Sequence, residues 1–501
     1  MAVETELKLR IDPGQLARLK RHALLKAHQL TRPVTRRLHN IYFDTAKLEL
    51  HKSRMALRLR RDGRQWLQTM KGGGSVKAGM HQRDEWEVAV SRAVLDFSLP
   101  ETVAWLKFLP AQKKLRPVFI TDFSRNSRML DWQGAQIELS MDHGEVRTEQ
   151  HSVTICELEL ELKSGEPQQL FELALALLEI APFELEQVSK AEQGYRLLTG
   201  HAESPLKGAA PVLAKTGTLN DALQTLVWSC LQHLQGNLRG AMSGMDAEYL
   251  HQMRVALRRL RVVLNMARKF RADDTLDALS GEIAAWCVSL GRIREWDVFI
   301  AGTAQPICAR MVDHAGLQAV LAASEARRAA CYAGLRSQAR ELQRLMLRLA
   351  LWMNGNYWRD EVSLSAQDFA DRRLHKLARR FALAGHQLDT LDERRLHELR
   401  ILAKKLRYSA ELFAALYGRQ RSYVAALSEV QEVLGQINDV MTARRLLDEL
   451  ASLPDLIAHR EAAALVQGWI AHDMTHQFAA LGKAQRRFNK QPAFWSTGRN
   501  R

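Results

Sequence analysis

Apolar and charged residues alternate along most of the first 195 positions of the chain. Leu7 and Leu9 stand between charged neighbours, and leucines alternate with glutamates in residues 156–163. Such a period of two is typical of β-strands with one apolar and one charged face. Two stretches with helical spacing, 13–27 and 166–179, interrupt it. The pattern predicts an α+β region dominated by antiparallel strands.

The hydrophobic spacing changes after residue 200. Prolines and glycines after this point indicate a linker, and the spacing that follows is helical to about Arg487. The last residues carry Pro492, Gly498 and basic side chains, a composition typical of a loose tail. The predicted organisation is an α+β domain at 1–200, a linker at 201–219, an all-α domain at 220–487 and a basic tail at 488–501.

The helical region contains an internal repeat. Residues 251–261 recur as residues 397–407, with the basic side chains at the same offsets in both copies. A Leu-Gly-x-Ile segment follows each copy, beginning at Leu290 and at Leu434. A repeat of this length predicts a duplicated helical unit, and therefore an all-α bundle with pseudo-twofold symmetry.

The charge balance adds a prediction about partners. The chain has 501 residues and a formal net charge of +16. Residues 1–200 hold 30 Lys and Arg against 26 Asp and Glu, whereas residues 201–501 hold 42 against 30. A basic excess concentrated in one half predicts an anionic partner there, with nucleic acid, anionic lipid and polyphosphate as the alternatives.

Cysteine use and hydropathy narrow the class of protein. The five cysteines are far apart and form no C-x-x-C pair, which argues against a disulfide framework or a zinc knuckle. The sequence shows neither the apolar core of a signal peptide nor an uncharged apolar run long enough to cross a bilayer. We therefore predict a cytoplasmic protein without a membrane partner.

Charged residues of both signs share strand faces in the first domain. Glu157, Glu159 and Glu161 lie on one face and repel each other unless a cation lies between them. Arg58 and Arg60 share another face. For any single strand a solvated outer face would explain such charges. Across several strands they favour a closed barrel whose polar interior holds a divalent metal through carboxylates and phosphates through Arg and Lys.

Short motifs follow these strands in a fixed order. They read E-x-E-x-K, N-x-Y-F-D-T, L-R-x-R, T-x-K-G, R-x-E-x-E, R-P and S-K, beginning at residues 4, 40, 57, 69, 83, 116 and 189, and an acidic strand lies at 157–165. In this order they resemble the triphosphate tunnel metalloenzymes, or CYTH domains, over essentially all of residues 1–200. The resemblance implies an eight-stranded tunnel barrel that hydrolyses a triphosphate with Mg²⁺ or Mn²⁺.

The resemblance also implies roles for individual residues. The implied phosphate-binding residues are Lys8, Arg58, Arg60, Lys71, Arg83, Arg116, Arg125 and Lys190. The implied metal ligands are Glu4, Glu6, Asp142, Glu157, Glu159 and Glu161. Glu4, Glu6 and Lys8 are the implied catalytic residues, with Glu4 and Glu6 placing a second metal or the attacking water. Carboxylate oxygens suit Mg²⁺ or Mn²⁺, and phosphoryl transfer needs positioning and charge neutralisation more than covalent help.

The helical repeat carries a basic stripe in each copy. Steps of three and four residues place its members on one helix face, and few acids share that face. The members are His251, Arg254, Arg258 and Arg261, then His397, Arg400, Lys404 and Arg407. One stripe alone would be explained by solvent or ion pairs. The repeat resembles the CHAD domain, which implies that these residues bind inorganic polyphosphate.

The leading hypothesis is an inorganic triphosphatase, releasing orthophosphate and pyrophosphate, with a polyphosphate-binding domain. Thiamine triphosphate, RNA and other nucleotide triphosphates, and adenylate cyclase chemistry are alternatives in the same barrel, although no residue signals base or ribose recognition. A non-catalytic polyphosphate-granule or polyanion-binding protein is the alternative from another class. Few aromatic residues lie among the basic ones, so no specific nucleic-acid partner is predicted. Polyphosphate granules are a further predicted location.

Overall fold

The computed structural model describes residues 2–100, 102, 105, 114–201, 203–358, 364–386, 392–418, 420–457 and 459–495. The chain forms two compact units. The first comprises Met1–Ser204 with Arg340–Asn356, and the second comprises Pro205–Ala339 with Tyr357–Arg501. Within the described ranges, no helix combines the length and the apolar character needed to cross a membrane.

The first unit is built on a closed antiparallel barrel. Its strands are β1 Ala2–Ile11, β2 Val34–Asp44, β3 Ala56–Asp62, β4 Gln65–Lys77, β5 Met80–Val90, β6 Arg116–Trp132, β7 Ala135–Arg147 and β8 Ser152–Ser164. The strand order is β5-β4-β3-β2-β6-β7-β8-β1, and β1 also pairs with β5, which closes the barrel. A short strand, β9 Phe183–Leu185, extends the sheet beside β1. The predicted eight-stranded α+β barrel is confirmed.

The strand register explains why charge lies inside the barrel. Lys8 is opposite Glu159, and Glu6 is opposite Glu161, across the β1–β8 pair. The alternate residues, such as Leu7, are fully buried on the other face. Helix α4 Gln168–Ile180 packs against β1 and β8, so the apolar face is covered and the charged face lines the interior.

Short helices complete the first unit. They are α1 Pro13–Lys20, α2 Ala23–Ala27, α3 Glu49–Lys52 and α5 Lys190–Thr199. The predicted helical stretch 13–27 is therefore interrupted, and the side chain of His22 caps α2. Asp44 is buried, and its carboxylate accepts hydrogen bonds from the backbone N–H groups of Leu50 and His51 and from the Tyr195 hydroxyl. The aspartate of the N-x-Y-F-D-T motif thus joins β2, α3 and α5.

One helix from the helical part of the sequence belongs to the first unit. This helix is α11 Ala339–Met353. The guanidinium of Arg344 pairs with Glu179 at 2.8 Å, and the Gln343 Oε1 accepts a hydrogen bond from the Leu185 backbone at 3.3 Å. The α11 helix therefore contacts α4 and β9, although about 150 residues of chain precede it after β9.

The second unit is helical, as predicted. Its helices are α6 Leu219–Ser243, α7 Ala247–Ala267, α8 Asp274–Phe299, α9 Gln305–Arg310, α10 Ala315–Ser337, α12 Ala366–Ala384, α13 Glu393–Leu412, α14 Arg421–Ala451, α15 Pro454–Ile457 and α16 Arg460–Asn489. A π-helix, Ile300–Ala304, connects α8 to α9. The two repeat copies lie on α7 and α13, and the Leu-Gly-x-Ile segments lie on α8 and α14.

The two copies meet through their first helices. Thr218 caps α6, Ser365 caps α12, and these two capping residues form an antiparallel bridge. The Leu219 N–H donates to the Leu364 carbonyl at 2.8 Å, and the Ala366 N–H donates to the Gly217 carbonyl at 3.3 Å. This reciprocal pairing is the arrangement expected of a duplicated unit with a pseudo-twofold axis.

Two residues of the predicted loose tail are packed. Phe494 and Trp495 are buried in a core cluster with Tyr423 and Phe488. The Trp495 ring lies 5.0 Å from that of Tyr423, edge to face. Aromatic burial of this kind anchors the chain as far as residue 495.

Candidate functional site

A cavity of about 950 Å³ occupies the interior of the barrel, with charged residues of both signs in its wall. The predicted residues that line it are Glu4, Glu6, Lys8, Arg58, Arg60, Lys71, Arg83, Arg125, Glu159, Glu161 and Lys190. Asp142 and Glu157 are buried behind this wall, in contact with Lys190. The structure does not place Arg116 at the cavity, because this residue is exposed at the start of β6, opposite Asp44.

Three cations and four carboxylates form the inner part of the site. The Lys190 ammonium lies 2.7 Å from Asp142 and 2.9 Å from Glu159, and it also pairs with Glu157. The Arg125 guanidinium donates two hydrogen bonds to Asp142, at 2.8 and 2.6 Å, and also pairs with Glu159. Lys8 pairs with Glu159 and lies 3.0 Å from Glu6. These buried charges therefore compensate each other.

The compensation fixes the charge states. Burial lowers the pKa of Lys8, but Glu159, Glu6 and Glu157 outweigh it and raise this pKa well above its ordinary value. Burial likewise acts against Glu159, whose pKa is nevertheless held well below its ordinary value by Lys190, Lys8 and Arg125. Glu157 differs, because burial raises its pKa to about 7 in spite of Lys190 and Lys8. Lys8 thus remains a cation near neutral pH, while Glu157 can change charge.

The wall offers two groups of oxygen donors for a metal. Asp142, Glu157 and Glu159 each present an oxygen within 4.8 Å of the other two. Their charges are already paired with Lys or Arg. A second group lies at Glu161, near the carboxylates of Glu4 and Glu138. Burial and these two carboxylates raise the pKa of Glu161, and this effect outweighs the lowering by Lys163. Like charges in the second group favour a cation there, and both groups fit a hard divalent ion.

Two arginines in the wall have no ion pair with any carboxylate in the part of the chain that the structure describes. Arg60 donates to the Asn40 side chain at 2.9 Å, and burial together with Arg58 and Arg125 lowers its pKa to about 10. Arg83 donates to the Nδ1 of His81 at 3.1 Å. Guanidinium groups in this state can bind phosphate oxygens without first breaking a salt bridge.

Several residues of the site were not among the predicted site residues. Glu138, Lys163, Glu85 and Tyr42 also line the cavity. The strand alternation could have identified Glu138, because it lies opposite Glu161 in the β7–β8 register.

His81 is fully buried opposite Glu6. Burial and Lys8 lower its pKa to about 3, so it is neutral. With Nδ1 accepting from Arg83, its Nε2–H donates to the Glu186 carbonyl at 3.2 Å. His81 therefore positions Arg83, a role that the sequence spacing of a single histidine could not indicate.

The basic stripes of the two repeat copies meet in the second unit. Burial, together with the charges of Arg258, Arg400 and Arg254, lowers the pKa of Lys404 to about 6. Burial and Arg258 likewise lower the pKa of Arg254 to about 9. Within the described residues, Nη1 of Arg254 and Nε of Arg400 are buried without a hydrogen-bond acceptor. We call Arg254, Arg258, Arg400 and Lys404 the paired-helix cluster.

The other predicted stripe residues stand outside this cluster or at its edge. Arg407 pairs with Glu411 at 2.6 Å, which neutralises it locally. His397 is exposed. The pKa of His251 is lowered by burial and then by Arg294, a basic residue of α8 that the stripe did not include. Arg261 lies near Cys287, as Arg254 and Arg258 do.

The Leu-Gly-x-Ile segment has a structural role beside the cluster. A Cβ atom at Gly291 would lie 3.2 Å from Nη1 of Arg254. This spacing is tight, so glycine leaves room for the arginine. On α14, Asp439 lies close enough to Arg400 and Lys404 for each to lower its pKa, although burial raises that pKa overall. The first segment therefore borders the cluster directly, whereas α14 borders it through Asp439, two residues beyond the second segment.

Comparisons with known proteins agree with this division. Residues 2–195 match the model of the CYTH domain, and residues 225–448 match that of the CHAD domain, which confirms both resemblances. An inorganic triphosphatase of Haemophilus influenzae is 31% identical over 209 residues, which are 39% of this chain and 55% of that protein. The chain thus spans about half the length of this relative. The crystal structure of the CHAD domain from the plant Ricinus communis is 30% identical with a TM-score of 0.51, covering 58% of this chain and 99% of that one.

Proposed function

We propose that this chain, which carries a CYTH domain followed by a CHAD domain, hydrolyses inorganic triphosphate in the barrel cavity and binds inorganic polyphosphate on its helical unit. The products of hydrolysis are orthophosphate and pyrophosphate. The CYTH match and the triphosphatase relative support triphosphate hydrolysis at the level of the family. The observation that carries the proposal is the cavity wall, where unpaired Arg60 and Arg83 face a space shared with carboxylates.

The cations of the wall have different tasks. Arg60 and Arg83 bind the phosphate oxygens, because neither is neutralised by a described carboxylate. Lys8 stays protonated and supplies a fixed positive charge where negative charge develops. His81 holds the Arg83 guanidinium from behind. Charge stabilisation by groups already in position is the main requirement of phosphoryl transfer.

The carboxylates orient water and hold the metal. Glu6 is buried beside Lys8 and lines the cavity, so its carboxylate can orient and deprotonate a water molecule. Glu4, Glu138 and Glu161 present oxygens for Mg²⁺ or Mn²⁺ at one part of the wall, and Glu159 with Asp142 and Glu157 presents them at another. When bound, the ion would polarise the terminal phosphoryl group and lower the pKa of bound water.

The wall also bears on the substrate. Of the aromatic residues that line the cavity, Tyr42, Phe123 and Trp105 are buried in the wall and Trp86 is half-buried, which leaves their rings little surface on which a base could stack. A substrate that consists of phosphate throughout fits this wall better than a nucleotide. The neighbouring CHAD domain favours the same choice.

The activity is tested by phosphate release from tripolyphosphate, ATP and thiamine triphosphate, each with Mg²⁺ or Mn²⁺. We expect release from tripolyphosphate to be fastest, and Glu6→Gln to lower it by about 100-fold or more. Glu49→Gln is the matched control, because Glu49 is exposed on α3, outside the cavity. If the wild type releases phosphate from none of the three substrates, the chain is not a triphosphatase.

Polyphosphate binding is supported by the buried N–H groups of Arg254 and Arg400 that have no hydrogen-bond acceptor among the described residues. We expect Arg254→Gln with Arg400→Gln to weaken binding of labelled polyphosphate by about tenfold or more, because each arginine makes charge-assisted hydrogen bonds to phosphate. Arg327→Gln with Arg336→Gln removes the same charge from exposed positions on α10 and serves as the control. Equal losses in both double variants would indicate a general polyanion surface, as would displacement by duplex DNA of equal phosphate content.

A further inference from the structure

A second cavity in the helical unit, of about 650 Å³, lies along one face of α12. We call it the α12 groove. Its wall consists of residues at helical spacing on α12 together with one tryptophan from the end of the described chain. They are Asp371, Arg372, His375, Lys376, Arg379, Arg380, Leu383 and Trp495. None of them belongs to the paired-helix cluster, so the groove is a separate basic site.

The groove collects positive charge without counter-ions. Arg372, Lys376 and Arg380 follow each other at steps of four residues, and like charges at this spacing destabilise a helix. No carboxylate among the described residues pairs with these three side chains, nor with Arg379. Lys269, at the end of α7, is affected as well, since burial and then Arg373, Lys376 and Arg380 lower its pKa.

The acidic residue of the wall is already engaged. Asp371 accepts a hydrogen bond from the Tyr417 hydroxyl at 2.6 Å. A ligand with several negative charges would relieve the repulsion along α12 beyond the screening that water and salt provide.

Trp495 supplies a reporter in the wall of the groove. Its side chain is only 6% exposed and packs in the core cluster with Tyr423 and Phe488. Its indole nitrogen is buried, so the ring senses a ligand in the groove without donating to it.

We propose that the α12 groove is a second anion site of the helical unit, which binds a short condensed phosphate through Lys376, Arg379 and Arg380. Arginine presents a fork of donors to phosphate oxygens, and lysine adds a compact positive charge. The Trp495 ring is buried, and the exposed ring among the wall residues is the imidazole of His375, so the wall offers little surface on which bases could stack. The chemistry therefore favours phosphate chains over nucleic acid.

The site is tested on the full chain labelled with ¹⁵N at the tryptophan indoles, without divalent metal, so that tripolyphosphate is not consumed. Trp495→Phe assigns the Trp495 indole resonance by its disappearance. We expect tripolyphosphate to shift this resonance and to saturate the shift. Arg379→Gln with Arg380→Gln should weaken the apparent affinity at this resonance by about tenfold, while Arg254→Gln with Arg400→Gln should leave it within about twofold.

The controls separate the groove from charge in general and from the barrel. Arg379 and Arg380 are exposed, so their variant is expected to fold, which unchanged indole resonances of the tryptophans outside the groove would show. Arg327→Gln with Arg336→Gln removes equal charge elsewhere and should leave the titration unchanged. Hydrolysis in the barrel is not read out, so this proposal and the proposed activity can fail separately.

Three results would overturn the proposal. The first is a Trp495 resonance that does not respond to tripolyphosphate. The second is an equal loss of affinity in the α10 control variant, which would mean that net charge alone is measured. The third is a tighter response to a single-stranded oligodeoxynucleotide of equal phosphate content, which would make the groove a nucleic-acid surface.

Discussion

The barrel cavity and the paired-helix cluster use the same basic residue types with opposite electrostatics. In the barrel, Lys8 and Lys190 contact carboxylates, which raise their pKa values in spite of burial. In the cluster, Arg254 and Lys404 face other cations, and burial together with those neighbours lowers their pKa values. The lysines of the barrel have their charges compensated before any ligand arrives, whereas Arg60 and Arg83 are left for the substrate. The cluster carries repulsion that a polyanion would relieve.

This difference follows from local geometry. Across the β1–β8 pair, the register sets Lys8 opposite Glu159, and Lys8 also lies 3.0 Å from Glu6 on its own strand, so opposite charges meet inside the barrel. On α7 and α13 the stripes repeat the same sign at the same offsets, so packing the copies together brings like charges close. A compensated site is suited to chemistry on a small substrate. A site with excess charge is suited to holding a long anion.

The largest effect should come from the unpaired arginines of the barrel. Arg60→Gln should lower kcat/KM for tripolyphosphate by about 100-fold or more, because a positioned cation that faces developing charge is lost. Arg258→Gln, in the cluster, should leave kcat/KM within about twofold. Steady-state phosphate release measures both. A similar loss in the two variants would mean that the regions do not divide the work as the charges indicate.

The next largest effect should be a change in the free energy of unfolding that has opposite signs in the two regions. Lys190→Met should destabilise the barrel by about 3–5 kcal/mol, because it leaves Glu157, Glu159 and Asp142 buried with less compensation. Lys404→Met should stabilise the helical unit by on the order of 2 kcal/mol, because methionine avoids the cost of removing the lysine's proton on folding at neutral pH. Denaturant unfolding of each variant measures the change. Destabilisation by Lys404→Met would contradict the comparison.

Binding of polyphosphate should depend on pH through Lys404. Its pKa falls from an ordinary value of 10.5 to about 6 in the fold, so its contribution to stability is full above pH 10.5 and is lost as the pH falls toward 6. A bound polyanion would raise this pKa, so binding takes up a proton. Affinity should therefore fall as the pH rises from 6 to 9, by up to about tenfold per pH unit.

Calorimetry in two buffers of different ionisation enthalpy measures this proton uptake. Lys404→Met should bind more weakly at pH 6 and should lose most of the pH dependence. A wild-type affinity that is constant between pH 6 and 9 would mean that Lys404 does not meet the anion.

Salt should produce the smallest effect and should again separate the two regions. The cluster binds by charge at a partly exposed surface, so raising salt from about 50 to 200 mM should weaken polyphosphate binding by about tenfold. The ion pairs of the barrel are buried and screened less, so KM for tripolyphosphate should rise by less than about threefold. Equal salt dependence in the two assays would remove this distinction.

Much of the barrel was predictable because its signals are local. The alternation at Leu7 and Leu9 predicted which face of the strand is apolar. The three glutamates on one face of residues 157–161 predicted a cation between them. The ion pairs between distant segments were harder to predict from the sequence. The approach of Lys190 to Glu157 depends on where α5 begins, because Lys190 is the first residue of this helix and lies 33 positions after Glu157.

Other features depend on long-range packing that no short pattern encodes. The contact of α11 with α4 and β9 joins segments about 150 residues apart. The approach of Arg258 to Lys404 requires the two repeat copies to pack together. Burial of Trp495 overrides the polar composition of the chain end, because the ring fills a space in the core cluster.

The central claim is that hydrolysis belongs to the barrel and polyphosphate binding to the helices. One crossed measurement tests it most directly: phosphate release from tripolyphosphate and binding of labelled polyphosphate, each for Glu6→Gln and for Arg254→Gln with Arg400→Gln. We predict that Glu6→Gln loses release and keeps binding, and that the double variant keeps release and loses binding. Loss of both functions in either protein, or of neither, would contradict the account.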